Sequence, residues 1–523
     1  MKLKTLLLAL LVCNTAVFAQ TKKPNIIYIL ADDLGIDGVS CYGADLFKTP
    51  VIDKLASTGI RYTNGYTAPL CGPSRALILT GRYAFRTGAV NQDMTGQMKP
   101  SVETMMPSIL KQAGYTSSMV GKWGQLPLGP AEFGFDDYLR FFGSGVYVSK
   151  EEKKQKYVLN GQESVLKDKE YMPDLMHTHI ENFLSKHTKD PFYLYYSMVH
   201  VHGEIMATPD SKPGATDFKE LYTDNINYMD KLVGKLLRTL DSLKIRDNTI
   251  IVFMGDNGNS TRTAQIADTS RAKGSVYQYG VHVPFIIAGP SVVNPNRVSG
   301  ALINTADVFA TVLELFGYTT WQTQIPTAKP VDSKSILPII KNQTTQVRPW
   351  AFTEIFKLNT DSSDGNTMRN TDYKLIKFDY GAQRFYNLTL DPNENNNLLT
   401  GSLSYNDVTN YYALCNAMTT LVGSGSFCNN AITTGVENFN PLNKDIKLYP
   451  NPSKNKLYLS FKHPTFQVSE IKIIDAVVKT ISDIKDMNLQ NGIDIHAYHS
   501  GFYYLQIIDK KTKNSTIKKF VIE

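Results

Sequence analysis

The chain has 523 residues, with 55 Lys and Arg against 48 Asp and Glu. Its 42% hydrophobic and 20% charged residues exclude a disordered, collagen-like or disulfide-scaffold protein. The net charge of +7 comes from the two ends of the chain, because residues 20–440 are neutral overall. A nucleic-acid-binding protein concentrates its basic residues on the working domain, so we expect no nucleic acid as a partner.

Residues 1–19 are predicted to be a signal peptide. Lys2 and Lys4 precede a short apolar run, and small residues occupy positions −3 and −1 of a cleavage site after Ala19. The run is shorter than the roughly 20 apolar residues that span a bilayer. We therefore expect export to the periplasm and then a secreted or cell-surface protein.

Four cysteines remain after removal of the signal peptide. An oxidising compartment permits a disulfide between Cys415 and Cys428, whereas Cys41 is expected to be an accidental free thiol. Cys71 lies in a motif of its own.

Short apolar runs alternate with helical patterns along the first part of the chain. The runs at 26–30, 192–198 and 249–254 fit strands that are buried on both faces, and residues 224–243 have apolar residues at helical spacing. This alternation predicts an α/β fold with a mostly parallel sheet, in which ligands collect at the carboxyl ends of the strands.

Acidic and amide side chains follow two of these predicted strands. Asp32 and Asp33 come after the first, and Asp256 and Asn257 after the third. Their oxygen atoms are the ligands that a hard divalent cation prefers. A metal site is therefore predicted at this edge of the sheet.

The most specific motif runs from Cys71 to Arg75 and is followed by Thr80 and Gly81. Pro73 fits the first turn of a helix, which places Cys71 at the N-terminus, where free N–H groups favour anions. Arg75 is four residues later on the same helical face, and its fork suits a tetrahedral oxyanion.

This motif resembles the signature of the type I, formylglycine-dependent sulfatases. The resemblance covers residues 24–435 and continues in the expected order at Asp32-Asp33, Gly121-Lys122-Trp123, Gly255-Asp256-Asn257-Gly258, the segment 273–284 and the segment 385–394. It implies an alkaline-phosphatase-like fold, in which a large central mixed, mostly parallel sheet is flanked by helices and joined to a smaller antiparallel-sheet subdomain. It also implies a maturation enzyme that oxidises Cys71 to formylglycine, whose hydrate is the nucleophile.

The resemblance assigns roles to the site residues. The metal, Ca²⁺ with Mg²⁺ as the alternative, is expected to bind Asp32, Asp33, Asp256, Asn257 and the residue derived from Cys71. Arg75, Lys122 and Lys273 are expected to neutralise the sulfate. His202 is expected to protonate the leaving oxygen, with His200 as the alternative or as a second base.

The chain departs from the family pattern at several positions. Gly124 stands where the family has a histidine that helps to release sulfate, and Gln278, Tyr279 and His282 are further substitutions. Glycine offers no proton acceptor. Another group must then take over this step, or turnover is impaired, or the protein binds without hydrolysing. The neighbouring Trp123 is expected to pack in the core.

The predicted domains are a catalytic domain at 20–345, a sulfatase subdomain at 346–435, a linker at 436–445 and a last block at 446–523. The last block resembles the type IX secretion sorting domain, a small β-sandwich that engages the type IX secretion machinery. A carbohydrate-binding β-module is the alternative.

These observations predict a secreted sulfatase that acts on a sulfated polysaccharide or its oligosaccharides, and we favour an algal polymer such as ulvan. One alternative is a phosphate or phosphonate ester hydrolase on the same scaffold, because fold does not fix function. The other is a degenerate surface glycan-binding protein, which the glycine at 124 motivates.

Overall fold

The computed structural model describes residues 23–142, 146–150, 154–357, 362–423, 425, 427–429, 446–461, 468–475, 480–485, 488–510 and 515–523. The predicted signal peptide and the predicted linker lie outside the described residues. Among the described residues, no helix has the length and apolar character needed to cross a membrane.

A ten-stranded sheet forms the centre of the catalytic part. Its strands are β1 (Asn25–Ala31), β2 (Gly59–Tyr66), β3 (Thr116–Lys122), β4 (Asp137–Phe141), β5 (Lys156–Leu159), β6 (Gln162–Val165), β7 (Phe192–Ser197), β8 (Thr249–Gly255), β9 (His282–Ala288) and β10 (Arg297–Asn304). The spatial order is β10-β2-β9-β8-β1-β7-β3-β4-β5-β6. Strand β1 is parallel to both of its neighbours, whereas β9 is antiparallel to β2 and β8, so the predicted mixed, mostly parallel sheet is confirmed.

Helices cover both faces of this sheet. The α-helices of the described residues are α1 (Pro50–Ser57), α2 (Cys71–Thr80), α3 (Ala84–Thr87), α4 (Gln92–Thr95), α5 (Met106–Gln112), α6 (Met172–Lys186), α7 (Phe218–Ser242), α8 (Gln278–Val281), α9 (Asp307–Leu315), α10 (Leu337–Ile340) and, on the smaller sheet, α11 (Tyr405–Val422). Alternate residues of β1 point to opposite faces: Tyr28 packs in the core beneath α2, α5 and α9, and Ile29 in the core beneath α1, α6 and α7. This two-sided burial explains why residues 26–31 of β1 are all apolar.

The next part of the chain forms a smaller antiparallel sheet. Strands β11 (Ala351–Ile355), β12 (Gly365–Arg369), β13 (Tyr373–Phe378) and β14 (Gln383–Asn387) are joined in sequence order, and α11 contacts β12 and β13. The disulfide between Cys415 and Cys428 is present, and Cys41 is free, as predicted.

The last block has its own core. Strands β15 (Ile446–Tyr449), β16 (Lys456–Phe461) and β19 (Ile493–Asp494) form one antiparallel sheet. A second antiparallel sheet contains β17 (Val468–Ile474), β18 (Thr480–Lys485), β20 (Gly501–Asp509) and β21 (Ser515–Ile522). The buried apolar residues that form this core all come from residues 446–522, as expected for a separate small β-domain.

Candidate active site

The predicted site residues meet at the carboxyl edge of the central sheet. The segments after β1, β2, β7 and β8 and the last residue of β3 reach this edge because those five strands run in one direction. They bring together the side chains of Asp32, Asp33, Cys71, Arg75, Lys122, His202, Asp256 and Asn257, and the loop before α8 adds Lys273.

Cys71 is the first residue of α2, and its side chain is fully buried. Its Sγ lies 3.5 Å from Oδ1 of Asp32, 3.8 Å from Oδ1 of Asp33 and 3.5 Å from Nζ of Lys122. Burial raises the pKa of the Cys71 thiol well above its usual range, and the charge of Asp256 raises it further. The unmodified residue is therefore a protonated thiol, a poor nucleophile.

Asp32 lies between two cations. Lys122 Nζ is 2.9 and 2.7 Å from its two carboxylate oxygens, and Nη2 of Arg75 is 3.7 Å from Oδ1. Burial alone would raise the pKa of Asp32, but Lys122, followed by His202 and Arg75, holds it well below its usual range. Asp32 is therefore a carboxylate at neutral pH.

Asp33 connects the second half of the site. Its backbone is left-handed, with φ of 57°, and its N–H donates to Oδ1 of Asp256 at 3.0 Å. Its own Oδ1 is 2.5 Å from Lys273 Nζ and accepts from Nδ2 of Asn257 at 2.8 Å. Asp256 also pairs with Nη2 of Arg75 at 2.9 Å.

This arrangement fits a hard divalent cation. Ligand atoms of Asp32, Asp33, Cys71 and His202 all lie within 4.8 Å of one another. Oδ1 of Asn257 is buried and has no hydrogen-bond partner among the described residues, as expected of an oxygen reserved for another ligand. Burial, and next the charge of Asp32, raises the pKa of Asp256 to about 7, and a cation would relieve this crowding of carboxylates.

The two histidines after β7 have different surroundings. His202 Nε2 lies 3.8 Å from Oδ2 of Asp33, its Nδ1 contacts the Gly203 carbonyl at 2.7 Å, and its side chain is 21% exposed. Burial lowers the pKa of His202, although the charge of Asp32 opposes this effect. Of the two, His202 is thus the one whose ring reaches the carboxylates.

His200 is fully buried among tyrosines. Its Nε2 is 2.9 Å from the hydroxyl of Tyr171, and its ring packs against Tyr147, Tyr171 and Tyr228. Burial lowers its pKa to about 3, so the ring is neutral. Strand β7 ends at Ser197, so His200 and His202 lie beyond the strand, and their spacing of two does not place both rings on one face. These contacts favour a structural role, and the second-base role stays a prediction without support here.

Gly124 lies directly against Arg75. Its φ is +68°, and a Cβ at this position would lie 3.1 Å from Cδ and 3.2 Å from Nε of Arg75. A larger side chain would therefore have to displace the arginine. The neighbouring Trp123 is fully buried and packs edge-on against Phe133 and Phe135, as predicted.

Two further residues support the site and were missed in the sequence. Ser197 accepts a hydrogen bond from Arg75 and donates to the Lys122 carbonyl at 2.6 Å, and Gln92 accepts from the N–H of Gly72 at 2.8 Å. Ser197 could have been found as a polar residue at a strand end, whereas Gln92 carries no signal in its local sequence.

Two of the three substituted residues, Gln278 in α8 and His282 at the start of β9, contact Tyr66. Gln278 donates to the Tyr66 hydroxyl at 2.6 Å, and the His282 ring stacks on Tyr66 with 5.1 Å between ring centroids. The third, Tyr279, donates through its hydroxyl to Asp37. The guanidinium of Arg369, from the smaller sheet, lies 5.0 Å from the centroid of the Tyr66 ring, and this contact connects the smaller sheet to the central sheet.

Three family models match the chain. The sulfatase model matches residues 24–318, the model of the C-terminal part of N-sulphoglucosamine sulphohydrolase matches residues 271–419, and the secretion system C-terminal sorting domain matches residues 447–523. The last match favours a sorting domain over a carbohydrate-binding module.

Named relatives agree with these models. Human N-acetylgalactosamine-6-sulfatase is 31% identical over 366 residues, which cover 63% of this chain and 68% of the relative. N-acetylgalactosamine-6-O-sulfatase of Bacteroides thetaiotaomicron is 28% identical over 473 residues, which cover 72% of this chain and 90% of the relative.

Solved structures share the fold. Ps i-CgsB superposes with a TM-score of 0.67 at 24% identity, over 77% of this chain and 93% of the other, and it has also been solved in complex with k-i-k-neocarrahexaose. The PsFucS1 sulfatase from Pseudoalteromonas sp. superposes with a TM-score of 0.61 at 22% identity, over 72% of this chain and 86% of the other.

Proposed function

The chain belongs to the sulfatase family, and from this premise we propose that it hydrolyses sulfate esters of a polysaccharide through a formylglycine made from Cys71. The observation that carries the proposal is the position of Cys71. Its side chain is buried at the N-terminus of α2 and lies within 3.5 Å of both the Asp32 carboxylate and the Lys122 ammonium. The thiol itself is held in its protonated state and is a poor nucleophile, which supports its conversion to formylglycine before catalysis.

The metal would be Ca²⁺, with Mg²⁺ as the alternative. Asp32, Asp33, Asp256 and Asn257 would hold it, together with the residue derived from Cys71. When bound, the ion supplies Lewis-acid polarisation of the sulfate oxygens.

The cations of the site would hold the sulfate. Lys122 pairs with Asp32, Lys273 pairs with Asp33, and Arg75 pairs with Asp256. All three cations are at least largely buried, where their charges are screened less than at the surface. They would neutralise the sulfate and the charge that develops as it is transferred.

His202 would protonate the leaving sugar oxygen. Its ring is the partly exposed imidazole beside Asp33. Burial lowers its pKa, and a bound sulfate anion would raise it again by favouring the imidazolium. The acid would then be charged when the substrate is present.

The substrate is proposed to be a sulfated polysaccharide or its oligosaccharides. The relatives are named for 6-sulfated N-acetylgalactosamine, and Ps i-CgsB was solved with a carrageenan-type hexasaccharide. Ulvan remains the sequence-based prediction. The sorting domain supports export by the type IX machinery to the cell surface or the medium.

The test is to produce the protein together with a formylglycine-generating enzyme. Peptide mass spectrometry should find residue 71 as the aldehyde. Free sulfate should appear from a panel of 6-sulfated N-acetylgalactosamine, carrageenan and ulvan oligosaccharides, and Cys71→Ala should abolish this release. Full activity with an unmodified thiol would overturn the mechanism.

Two arms of the same test address the alternatives. Sulfate and phosphate esters of one phenol are compared, and preferred hydrolysis of the phosphate ester would indicate the phosphoesterase. Glycan binding without sulfate release by the fully converted protein would indicate a degenerate binding protein.

A further inference from the structure

Glu394, in the chain that follows the smaller sheet, contacts the loop that carries Lys273. Glu394 follows β14 in a short turn, and its backbone is left-handed, with φ of 58°. Its side chain is 1% exposed. Glu394 is the last residue of the sequence motif at 385–394, and none of the candidate active-site residues comes from this motif.

Glu394 contacts both ends of the segment 271–278. Nη1 of Arg271 donates to the Glu394 carbonyl at 2.6 Å, and Oε2 of Glu394 accepts from the N–H of Gln278 at 2.5 Å. Lys273 lies between these two points, and its Nζ is 2.5 Å from Oδ1 of Asp33. Glu394 thus contacts both ends of the segment 271–278, which carries Lys273.

A buried counter-charge fixes the Glu394 carboxylate. Lys374 on β13 has its Nζ 2.8 Å from Oε1 of Glu394, and both side chains are 1% exposed. Removing one member of such a buried pair leaves an unpaired charge, which is strongly destabilising. While the pair is intact, the Glu394 carboxylate is charged and accepts from the Gln278 N–H. A hydrogen bond to a charged acceptor is stronger than one to a neutral acceptor.

Two backbone hydrogen bonds also anchor the segment near Lys273, and the Tyr277 ring packs against Phe378 and Tyr386. The Lys273 N–H donates to the Asn259 carbonyl at 2.9 Å, and the Gly274 N–H donates to the Pro69 carbonyl at 2.9 Å. Pro69 lies two residues before Cys71. The backbone beside Lys273 is therefore hydrogen-bonded to the segment that leads to Cys71. Glu394 contacts the segment 271–278 at its two ends, on either side of this hydrogen bond.

We propose that Glu394 is a positioning residue of the enzyme, which holds the segment 271–278 so that the Lys273 ammonium meets Asp33 and the sulfate. This inference rests on the role of Lys273 in the proposed function. It makes the smaller sheet a part of the catalytic unit, although none of the residues proposed to touch the sulfate comes from it.

Two double variants separate the hydrogen bond from the buried charge. Lys374→Met with Glu394→Gln removes both charges and keeps a side-chain oxygen for the Gln278 N–H. Lys374→Met with Glu394→Leu removes the same charges and also removes the acceptor. Both are made in the full chain, and thermal unfolding shows whether each is folded.

The first measurement does not depend on activity. Hydrogen exchange of peptides covering 271–278 should be faster in the Leu variant than in the Gln variant, and acetylation of Lys273, followed by mass spectrometry, should also be faster. Equal exchange and equal acetylation in two folded variants would overturn the proposal. If only the Leu variant fails to fold, Glu394→Gln with Lys374→Met is compared with wild type, and faster acetylation of Lys273 despite the retained acceptor would overturn it.

The second measurement is sulfate release from 6-sulfated N-acetylgalactosamine. The Leu variant should have kcat/KM at least about tenfold below that of the Gln variant. This difference should disappear when Lys273→Ala is added to both, since Glu394 would act through that lysine. A difference that persists in the Lys273→Ala background contradicts positioning through Lys273. If fully converted wild type does not hydrolyse this sugar, the assay uses the carrageenan or ulvan oligosaccharide that it does hydrolyse. If it releases sulfate from none of them, the proposed function fails, and exchange and acetylation still decide whether Glu394 holds the loop.

Discussion

Gly124 is the residue at which the chain departs most from its family, and its contact with Arg75 predicts the effect of a substitution. In Gly124→Ala the new Cβ would lie 3.1 Å from Cδ of Arg75, on a backbone with φ of +68°. We expect a loss of about 1–2 kcal/mol in unfolding free energy from the left-handed backbone. We also expect kcat/KM to fall roughly tenfold, because Arg75 is displaced from Asp256.

Gly423→Ala is the matched control for this prediction. Gly423 has φ of +73°, and a Cβ there would meet nothing within 4 Å. The control should lose similar stability and keep its kcat/KM. An active Gly124→Ala enzyme with the same stability as the control would show that the contact with Arg75 is unimportant.

The proposed role of His202 predicts that the effect of its removal on kcat/KM depends on the leaving group. If its imidazolium protonates the departing oxygen, His202→Ala should lower kcat/KM by about 10²–10⁴-fold for sulfated sugars, whose alcohols leave poorly. The loss should be much smaller for an aryl sulfate with an acidic phenol. The measurement is a series of sulfate esters of graded leaving-group pKa, compared between the variant and wild type. Parallel dependences in the two enzymes would exclude this role.

At the scale of elements, β11 contains a buried acid that should make stability depend on pH. Glu354 accepts from the N–H of Phe85 at 2.8 Å, and burial raises its pKa from 4.5 to about 8. Between these two values the folded chain keeps a proton that the unfolded chain releases. The unfolding free energy should therefore fall as pH rises through this window, by at most about 1.4 kcal/mol per pH unit from this group.

Glu354→Gln should remove that contribution, because the amide oxygen still accepts from Phe85 but does not ionise. Chemical denaturation at several pH values between 5 and 8.5 would measure it, with Glu163→Gln on the exposed hairpin as the control. Identical pH slopes in Glu354→Gln and wild type would mean that Glu354 is ionised in the folded protein.

At the scale of the whole molecule, the last block should be separable from catalysis. The buried cluster of residues 446–522 is built from that block alone, and the sorting-domain model matches 447–523. A chain that ends at residue 435 should keep kcat/KM within about twofold of the full chain. In the native host it should no longer reach the surface or the medium, which fractionation and immunoblotting would test. A large loss of activity would place part of the last block in the catalytic unit.

Local sequence determined much of the architecture and most of the site. The all-apolar runs of β1, β7 and β8 could be located because both faces of a central strand are buried. Asp32 and Asp256 could then be expected together, since parallel neighbouring strands end at one edge. The Cys71 motif could be placed at a helix start because its spacing and proline are local signals.

The tertiary structure alone decided which side chains face the substrate and which support them. His200 and His202 are two residues apart in one segment. Tyr171, just before α6, and Tyr228 of α7 pack against the first, and only the second reaches Asp33. Glu394 and Gln278 are 116 positions apart, so nothing in either local sequence indicates their hydrogen bond. Periodicity and spacing report a residue's immediate neighbours along the chain, whereas burial and pairing depend on which distant segments pack against it.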